Sequence, residues 1–282
     1  MVVTEGHDSG SLSAHRHVFE LRLDNALDLL RVVRALMFRE HGAIDVSSNG
    51  LRIIVDDQNC LQSIAYLKKE IFSNFIINEP AVSFRVPVAV LAECLSVLGT
   101  GNNVALKITY DGHGEPLRLL LEKDGIVVKC MIKTQNPDMI LDFDFDTRGI
   151  LAKVIMKPQK LKEVFQDFDA SSPTVAINIS QQGICISTNG EMGKIRAEFP
   201  KNSEQIEHLD CEDPVNFRYR LSLIKRMTPS LVLSQKASLR IDHRGVLSVQ
   251  LLLEQSESNS IFIEFFCVPD AEFSDDDVYG ND

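Results

Sequence analysis

The sequence predicts an α+β protein made of two tandem copies of one domain, each with two helices packed on antiparallel sheet. The main observation is an internal repeat, since residues 43–53 (AIDVSSNGLRI) recur 133 positions later as residues 176–186 (AINISQQGICI). At a shift of 132, residues 119–122 (LLLE) return as residues 251–254. Strand-like and helix-like patterns also follow each other in the same order in both halves. A duplicated domain indicates that function depends on the shape of an assembly more than on one pocket.

The length of the chain agrees with this division. For 282 residues about two domains are expected, and we place them at residues 17–134 and 150–270, with residues 135–149 as the connector. Residues 1–16 are polar, and residues 271–282 are acidic with few aliphatic side chains. Both ends are therefore predicted to be flexible.

The first elements have clear local signals. Alternating apolar residues predict a strand at 18–23, and Asp24 is the predicted N-cap of a helix that ends at Phe38. Residues 44–55 predict a hairpin, because Asn49-Gly50 supplies the positive φ angles of a type I′ turn.

The remaining elements complete one half and repeat in the other. Pro87 suits the first turn of a second helix, which is predicted to run to Leu98 and to stop at Gly99. Residues 104–133 predict a meander of three strands. The second half is predicted to contain a strand at 150–156, a helix from Pro158, a hairpin at 175–187, a strand at 194–199, a short helix that ends near Pro229, and four strands between 231 and 267.

Composition indicates a water-soluble protein with reduced thiols. No apolar run approaches the ~18 residues of a membrane span, and polar residues stand where a signal peptide needs an apolar stretch. A net charge of −11 disfavours nucleic-acid binding on average, but net charge does not constrain one face of a protein. The cysteines are scattered without a C-x-x-C pair, which disfavours a disulfide framework or a zinc site; they are Cys60, Cys94, Cys130, Cys185, Cys211 and Cys267.

The order of elements, repeated and joined by a connector, resembles the sliding-clamp superfamily to which PCNA belongs. Residues 141–145 (LDFDF) resemble the acidic and hydrophobic connector of that superfamily, and residues 262–269 resemble its C-terminal end. Over residues 18–270 the chain is most similar to the Rad-one family of subunits in the heterotrimeric DNA-damage checkpoint clamp, the nine-one-one complex. The segments that carry this closer resemblance are 38–41 (FREH), 91–98, 141–145 and 242–245 (DHRG).

The resemblance implies a non-catalytic protein without a cofactor or a metal. It implies that the chain forms one third of a pseudo-sixfold ring with two paralogous clamp subunits. A clamp-loader ATPase would place this ring on damaged double-stranded DNA, without sequence preference. The ring would recruit checkpoint and repair proteins in the nucleus, and no membrane partner is expected.

A ring that slides on DNA needs cations toward the hole and no readout of bases, because phosphate contacts position a protein without specifying sequence. On the first predicted helix, Arg31 and Arg34 lie opposite the apolar stripe. Asp24 and Asp28 lie on the same side, so a solvated face is the alternative interpretation. This basic set is sparse, so we expect the other subunits to supply much of the positive potential. The predicted DNA-facing residues are Arg31, Arg34, Lys160, Lys162, Lys225 and Arg226.

By the same resemblance, subunits join through edge strands, whose unpaired N–H and C=O groups are a template for another chain. The edges are predicted at residues 126–133 and 193–199; ordinary edges protected by lysines are the alternative. The predicted interface residues are Ile126, Val128, Cys130, Ile132, Lys194, Ile195, Ala197 and Phe199. A groove for partner peptides is implied beside the connector, at Val55, Ile150, Val268 and Pro269. Arg148 stands where that groove would be apolar, which disfavours the usual clamp-interacting peptides.

Two other functions fit parts of the sequence. Asp142, Asp144 and Asp146 alternate, so on a strand they would project from one face and hold Mg²⁺ in a metal-dependent DNA exonuclease. A homotrimeric replication clamp would differ in its partners alone, and the sparse basic helices and weak groove count against it. The sequence contains no P-loop or G-x-S-x-G motif.

Overall fold

The computed structural model describes residues 17–101, 103–137, 143–253 and 261–270. The two predicted flexible ends, part of the connector and Asp142 lie outside these ranges. The strands of the first half are β1 (Phe19–Leu23), β2 (His41–Ser47), β3 (Gly50–Asp57), β4 (Leu61–Lys68), β5 (Asn74–Ile77), β6 (Ala81–Pro87), β7 (Ala105–Tyr110), β8 (Leu117–Lys123) and β9 (Ile126–Ile132). Its helices are α1 (Ala26–Ala35) and α2 (Val88–Leu95), with a single 3₁₀ turn at Lys69–Ile71.

The second half repeats this order, which confirms the predicted α+β class. Its strands are β10 (Ile150–Met156), β11 (Thr174–Ser180), β12 (Gly183–Gly190), β13 (Gly193–Pro200), β14 (Ile206–Cys211), β15 (Val215–Arg220), β16 (Ser234–Asp242), β17 (Leu247–Leu253) and β18 (Ile261–Cys267). Its helices are α3 (Pro158–Asp167), α4 (Leu221–Lys225) and α5 (Thr228–Leu233).

The ends of three helices differ from the prediction. Helix α2 ends at Leu95 and not at Leu98, and the described residues between 231 and 267 form three strands and not four, because residues 228–233 are helix α5. Asn25, and not Asp24, is the N-cap of α1, because its Oδ1 accepts a hydrogen bond from the N–H of Leu27 at 3.1 Å. Residues 36–38 continue α1 as a turn and not as helix. The predicted short helix near Pro229 is two helices, and Pro229 lies in the first turn of α5 because proline needs no N–H partner there.

The hairpin of β2 and β3 turns one residue earlier than predicted, at Ser48 and Asn49. Gly50 has φ +140°, and a Cβ at this position would clash with the carbonyl oxygen of Leu67. Gly183, its equivalent in the repeat, has φ +153° and approaches a carbonyl of its neighbouring strand in the same way. Both halves therefore require glycine here for the close approach of the next strand.

The strands form three antiparallel sheets that preserve the repeat. Five strands of the first half are ordered β5-β1-β7-β8-β9, and their equivalents in the second half are ordered β14-β10-β16-β17-β18. The other four strands of each half are ordered β4-β3-β2-β6 and β13-β12-β11-β15. Strand β18 pairs with β4, so strands of both halves merge into one nine-stranded sheet.

The helices of the two halves adjoin. Helix α1 packs beside α2, α3 packs beside α5, and α1 contacts α5 across the two halves. The hydroxyl of Ser230 on α5 donates a hydrogen bond to the carbonyl of Ala35 on α1 at 3.5 Å. Among the described residues, no helix combines the length and the apolar character that crossing a bilayer requires.

Candidate functional site

Strands β9 and β13 each end a sheet, so the two predicted edge segments are edges in the structure. Ile126 is 59% exposed, Met131 71% and Ile195 37%. Beside these apolar side chains, half of the backbone N–H and C=O groups of each strand point away from the neighbouring strand of the sheet. An exposed edge with apolar side chains is a template for another chain.

The side chains of both edges alternate between two faces. Ile132 and Phe199 are buried in the core, whereas Cys130 packs against it and contacts the thiol of Cys94 on α2. Burial and this neighbouring thiol raise the pKa of Cys94 to about 11. By alternation from the buried Ile132 and Phe199, the residues on the core side are Ile126, Val128, Cys130, Ile132, Ile195, Ala197 and Phe199, and those on the outward side are Val127, Lys129, Met131, Lys194, Arg196 and Glu198.

The five helices together carry one more basic than acidic side chain, although the net charge of the chain is −11. Arg31 and Arg34 are exposed on α1, as the helical periodicity predicted. Lys160 is also exposed, but its Nζ lies 2.6 Å from the carboxylate of Glu163. The basic side chains of the five helices are Arg31, Arg34, Lys160, Lys162 and Lys225, against the acidic Asp28, Glu93, Glu163 and Asp167.

Lys225 and Arg226, which the sequence predicted to face DNA, both have partners within the chain. Lys225 Nζ donates to a backbone carbonyl after α3 at 2.6 Å. Arg226 forms an ion pair with Asp57, whose other oxygen lies 3.1 Å from Nη1 of Arg39. The guanidinium of Arg226 also lies 5.6 Å from the ring of Phe38. Because Asp57 ends β3, this cluster joins the second half of the chain to the first.

Of the four predicted groove residues, one is not on the surface of the protein. Val55 has no exposed surface and lies in the main core, because it alternates with the outward residue Ile54. Ile150, Val268 and Pro269 are half-buried. The outward apolar patch consists of Ala43, Ile54, Ile64, Tyr66 and Phe266.

The connector itself covers this patch. The rings of Phe143 and Phe145 lie 6.2 Å and 5.8 Å from the ring of Phe266, between their centroids. Phe143 is buried, and Phe145 lies 5.2 Å below the guanidinium of Arg240. The two connector phenylalanines and four residues of the outward patch together line a surface pocket of about 370 Å³.

A buried aspartate and its arginine fasten the connector. Arg244 Nη2 donates to the carbonyls of Phe143 and Asp144, and the carboxylate of Asp242 holds the same guanidinium at 2.9 Å. Asp242 has no exposed surface, and it also accepts hydrogen bonds from the N–H groups of Arg244 and Val246. The carboxylate raises the pKa of Arg244, so this contact stays charged. Residues 242–245, one of the segments that carry the family resemblance, thus bind the connector to the second half of the chain.

Of the three aspartates of the exonuclease interpretation, Asp142 lies outside the described residues, and Asp144 and Asp146 do not lie on a strand. Asp144 has φ +45°, and residues 143–149 contain no strand, so alternation does not bring the carboxylates to one face. Asp146 accepts a hydrogen bond from the N–H of Arg148 at 2.9 Å and lies 3.3 Å from Nδ1 of His243. Within the described ranges, no three His, Cys, Asp or Glu side chains are grouped to hold a metal ion.

The outward patch was missed because β3 has apolar residues on both of its faces. The run Ile53, Ile54 and Val55 breaks the alternation that is expected of a strand with one solvent-exposed face. Such a run indicates that both faces are covered. It was the available signal for a second apolar surface under the connector.

Comparisons with known proteins agree with the fold. The family model described as repair protein Rad1/Rec1/Rad17 matches residues 18–253. The mouse cell cycle checkpoint protein RAD1 is 36% identical over 256 residues, which cover 89% of this chain and 91% of that protein. The Caenorhabditis elegans RAD1 homolog mrt-2 is 36% identical over 253 residues, which cover 89% of this chain and 94% of that protein.

One solved structure and one more distant relative add to this. The crystal structure of proliferating cellular nuclear antigen from Entamoeba histolytica superposes with a TM-score of 0.76 at 14% identity, covering 90% of this chain and 100% of that one. At this identity the similarity shows the fold alone. The DNA repair exonuclease REC1 of Mycosarcoma maydis is 26% identical over 181 residues, which cover 52% of this chain and 39% of that protein.

Proposed function

The chain belongs to the Rad1 family of repair proteins, with the PCNA-like fold of a checkpoint clamp subunit, and we propose that it forms one third of a heterotrimeric ring around DNA. Two paralogous clamp subunits would complete the ring, and a clamp-loader ATPase would place it on damaged double-stranded DNA. The mechanism is topological, because encirclement gives persistence without sequence readout.

One observation carries this proposal. Strand β18 pairs with β4 inside the chain, and the repeat equivalents of these two strands are β9 and β13. These equivalents end their sheets without a partner strand in the described chain. A β9 edge of one subunit and a β13 edge of the next would reproduce the internal seam. Head-to-tail repetition of one such contact gives a ring when the rotation closes.

The ring is tested by native mass, with the chain alone and co-expressed with two clamp paralogues. We expect a monomer alone and a 1:1:1 complex with the paralogues. A trimer of this chain by itself would establish the homotrimeric alternative. A monomer under both conditions would contradict ring formation.

Proline substitutions in β9 test the seam. Backbone N–H groups alternate between the two sides of a strand, so Val127→Pro and Val128→Pro are made in parallel. One of them removes an N–H from the internal ladder with β8 and lowers the melting temperature. The other removes an N–H from the open side, and it should keep the fold and lose the complex. A 1:1:1 complex with both variants would place the interface elsewhere.

We propose that the exposed arginines of α1 and the lysines Lys160 and Lys162 of α3 face DNA, and that Lys225 and Arg226 add charge from fixed positions. Arg31→Glu with Arg34→Glu should shorten retention of the ring on circular DNA by about tenfold or more, because phosphate contacts dominate such binding. Assembly should stay intact. Arg226→Ala is the contrasting variant, since loss of its contact with Asp57 should lower the melting temperature. Unchanged retention in the double variant would contradict this orientation of α1.

We propose that the chain is non-catalytic and acts in the nucleus by recruiting checkpoint and repair proteins. The positive φ of Asp144 and the hydrogen bond from Arg148 to Asp146 support this assignment. The exonuclease name of the distant relative makes a nuclease assay the direct test. Degradation of DNA with Mg²⁺ that is lost in Asp144→Asn and Asp146→Asn would overturn it.

A further inference from the structure

The internal seam between β18 and β4 specifies which residues would face each other if two copies of this chain paired through their open edges. We infer that the outward side chains of β9 and β13 oppose self-pairing and select partner subunits whose edge strands carry carboxylates. This inference rests on the proposed ring and names the chemistry of its partners.

The repeat assigns each residue of β9 to a residue of β18. Ile132 occupies in β9 the position that Phe265 occupies in β18, because each pairs with the equivalent residue of the preceding strand. The following residue, Lys133, therefore corresponds to Phe266. Phe266 lies on the outward face of its sheet, and Lys133, the exposed residue directly after β9, is on the outward side by alternation from the buried Ile132.

The same reasoning relates β13 to β4. Ala197 occupies in β13 the position of Ala65 in β4, because each pairs with the equivalent isoleucine of the preceding strand. Three residues earlier in each strand, Lys194 therefore corresponds to Gln62. Lys194 is exposed, whereas Gln62 is buried in the closed seam.

These assignments give the register of a self-paired seam. Within the chain Phe266 is opposite Gln62, so two copies would place Lys133 directly opposite Lys194. The neighbouring outward pairs would be Met131 with Arg196, and Lys129 with Glu198. On the core face Ile132 would meet Ile195, which is compatible with pairing. The outward face alone thus distinguishes one partner from another.

Charge on that outward face is unbalanced. Four cations would meet one carboxylate, and that carboxylate, Glu198, already lies 2.6 Å from Nε of Arg196 on its own strand. Within the described residues no ion pair engages Lys129, Lys133 or Lys194. Like charges directly opposite on paired strands are destabilising, and such juxtaposition suppresses wrong partners. A partner edge with Asp or Glu opposite these cations, and apolar residues on its core face, fits both edges.

A charge-reversal pair tests this without any natural partner. In Lys133→Glu with Lys194→Glu, both reversed positions would be opposite each other in self-pairing, so the double variant should stay as monomeric as the wild type. A mixture of the double variant with the wild type places a carboxylate opposite a lysine at either seam. We expect the mixture to form heterodimers in sedimentation, with affinity about tenfold or more above the self-association of either protein.

The single variants give a second readout. Lys133→Glu alone or Lys194→Glu alone creates the opposite-charge pair within one protein, so each should self-associate at low salt and dissociate as salt rises. Lys157→Glu is the matched control, because it makes the same change in net charge at an exposed position outside both edges. It should stay monomeric.

Two outcomes would overturn the inference. One is that the mixture sediments as the sum of its separate components, and the other is that Lys157→Glu self-associates like the edge variants. Failure here is distinguishable from failure of the ring. If the proline variant abolishes the complex with the paralogues while the charge variants stay monomeric, the ring stands and charge selection is wrong. If self-association of Lys133→Glu survives the open-side proline substitution, the seam itself is misplaced.

Discussion

The closed seam inside the chain and the open edges at its two ends have the same backbone geometry but different outward side chains. In the closed seam Phe262 faces Tyr66, and Glu264 is bound by Arg240 with a 2.8 Å hydrogen bond from the hydroxyl of Ser248. On the open edges the equivalent face carries lysines and an exposed methionine. Strands β18 and β4 belong to one chain, so the closed seam does not have to select a partner. Its side chains can serve packing alone. The open edges must also discriminate between partners.

The largest expected difference between the two regions concerns their ion pairs. Arg240 and Glu264 are 18% and 10% exposed, whereas Arg196 and Glu198 are both 59% exposed. Glu264→Gln leaves the mostly buried guanidinium of Arg240 without its counterion and should cost about 3 kcal/mol of unfolding free energy. Glu198→Gln should change it by about 0.5 kcal/mol or less. Urea unfolding of both variants measures this, and equal losses would contradict the contrast.

The paired glycines should show a smaller difference. Gly50→Ala pushes a Cβ toward β4, which β18 holds on its other side, so we expect a loss of about 2 kcal/mol. Gly183→Ala pushes toward β13, which is free to move outward, so about 1 kcal/mol is expected. A loss at Gly183 as large as that at Gly50 would mean that the open edge is as rigid as the closed seam. Addition of the partner subunits should increase the cost at Gly183.

The smallest effect concerns the hairpin tip beside the β13 edge. Three groups donate hydrogen bonds to the carboxylate of Asp169 and lower its pKa. In order of decreasing effect they are the hydroxyl of Ser171, the N–H of Ser171 and the N–H of Met192. A lowered pKa stabilises the fold above the unfolded value of about 3.9, and this contribution is lost as pH falls through the folded value.

Asp169→Asn should therefore reduce the fall of the melting temperature at acid pH. It should also speed amide hydrogen exchange at the tip of the β12–β13 hairpin. The closed seam should keep its exchange rates at neutral pH. An unchanged acid limb would show that Asp169 does not anchor the hairpin.

Much of the fold was accessible from local patterns. The β2–β3 hairpin and the helix from Pro158 follow from periodicity and turn residues, which depend on neighbours within a few positions, and the repeat follows from comparing the two halves of the sequence. The two edge segments were predicted from the family resemblance, and β9 and β13 each end a sheet in the structure. The family resemblance added the ring and its DNA.

The candidate site was less predictable where a contact joins distant residues. Arg226 has the positive charge expected of a DNA-facing residue, but it forms an ion pair with Asp57, far earlier in the chain. Val55 and Ile54 are adjacent and equally apolar, and the pleat alone decides which of them faces the core. Nothing local indicates that Phe143 and Phe145 cover the outward patch.

The sequence by itself determined the duplication, the alternation within each strand and the positions of the charged residues, because these depend on chemistry and period along one chain. The tertiary structure alone decided that β18 closes on β4, that two arginines share Asp57, and that the connector lies over the apolar face. Each of these joins residues tens to hundreds of positions apart, and such pairings are settled by packing of the whole core and not by local preference.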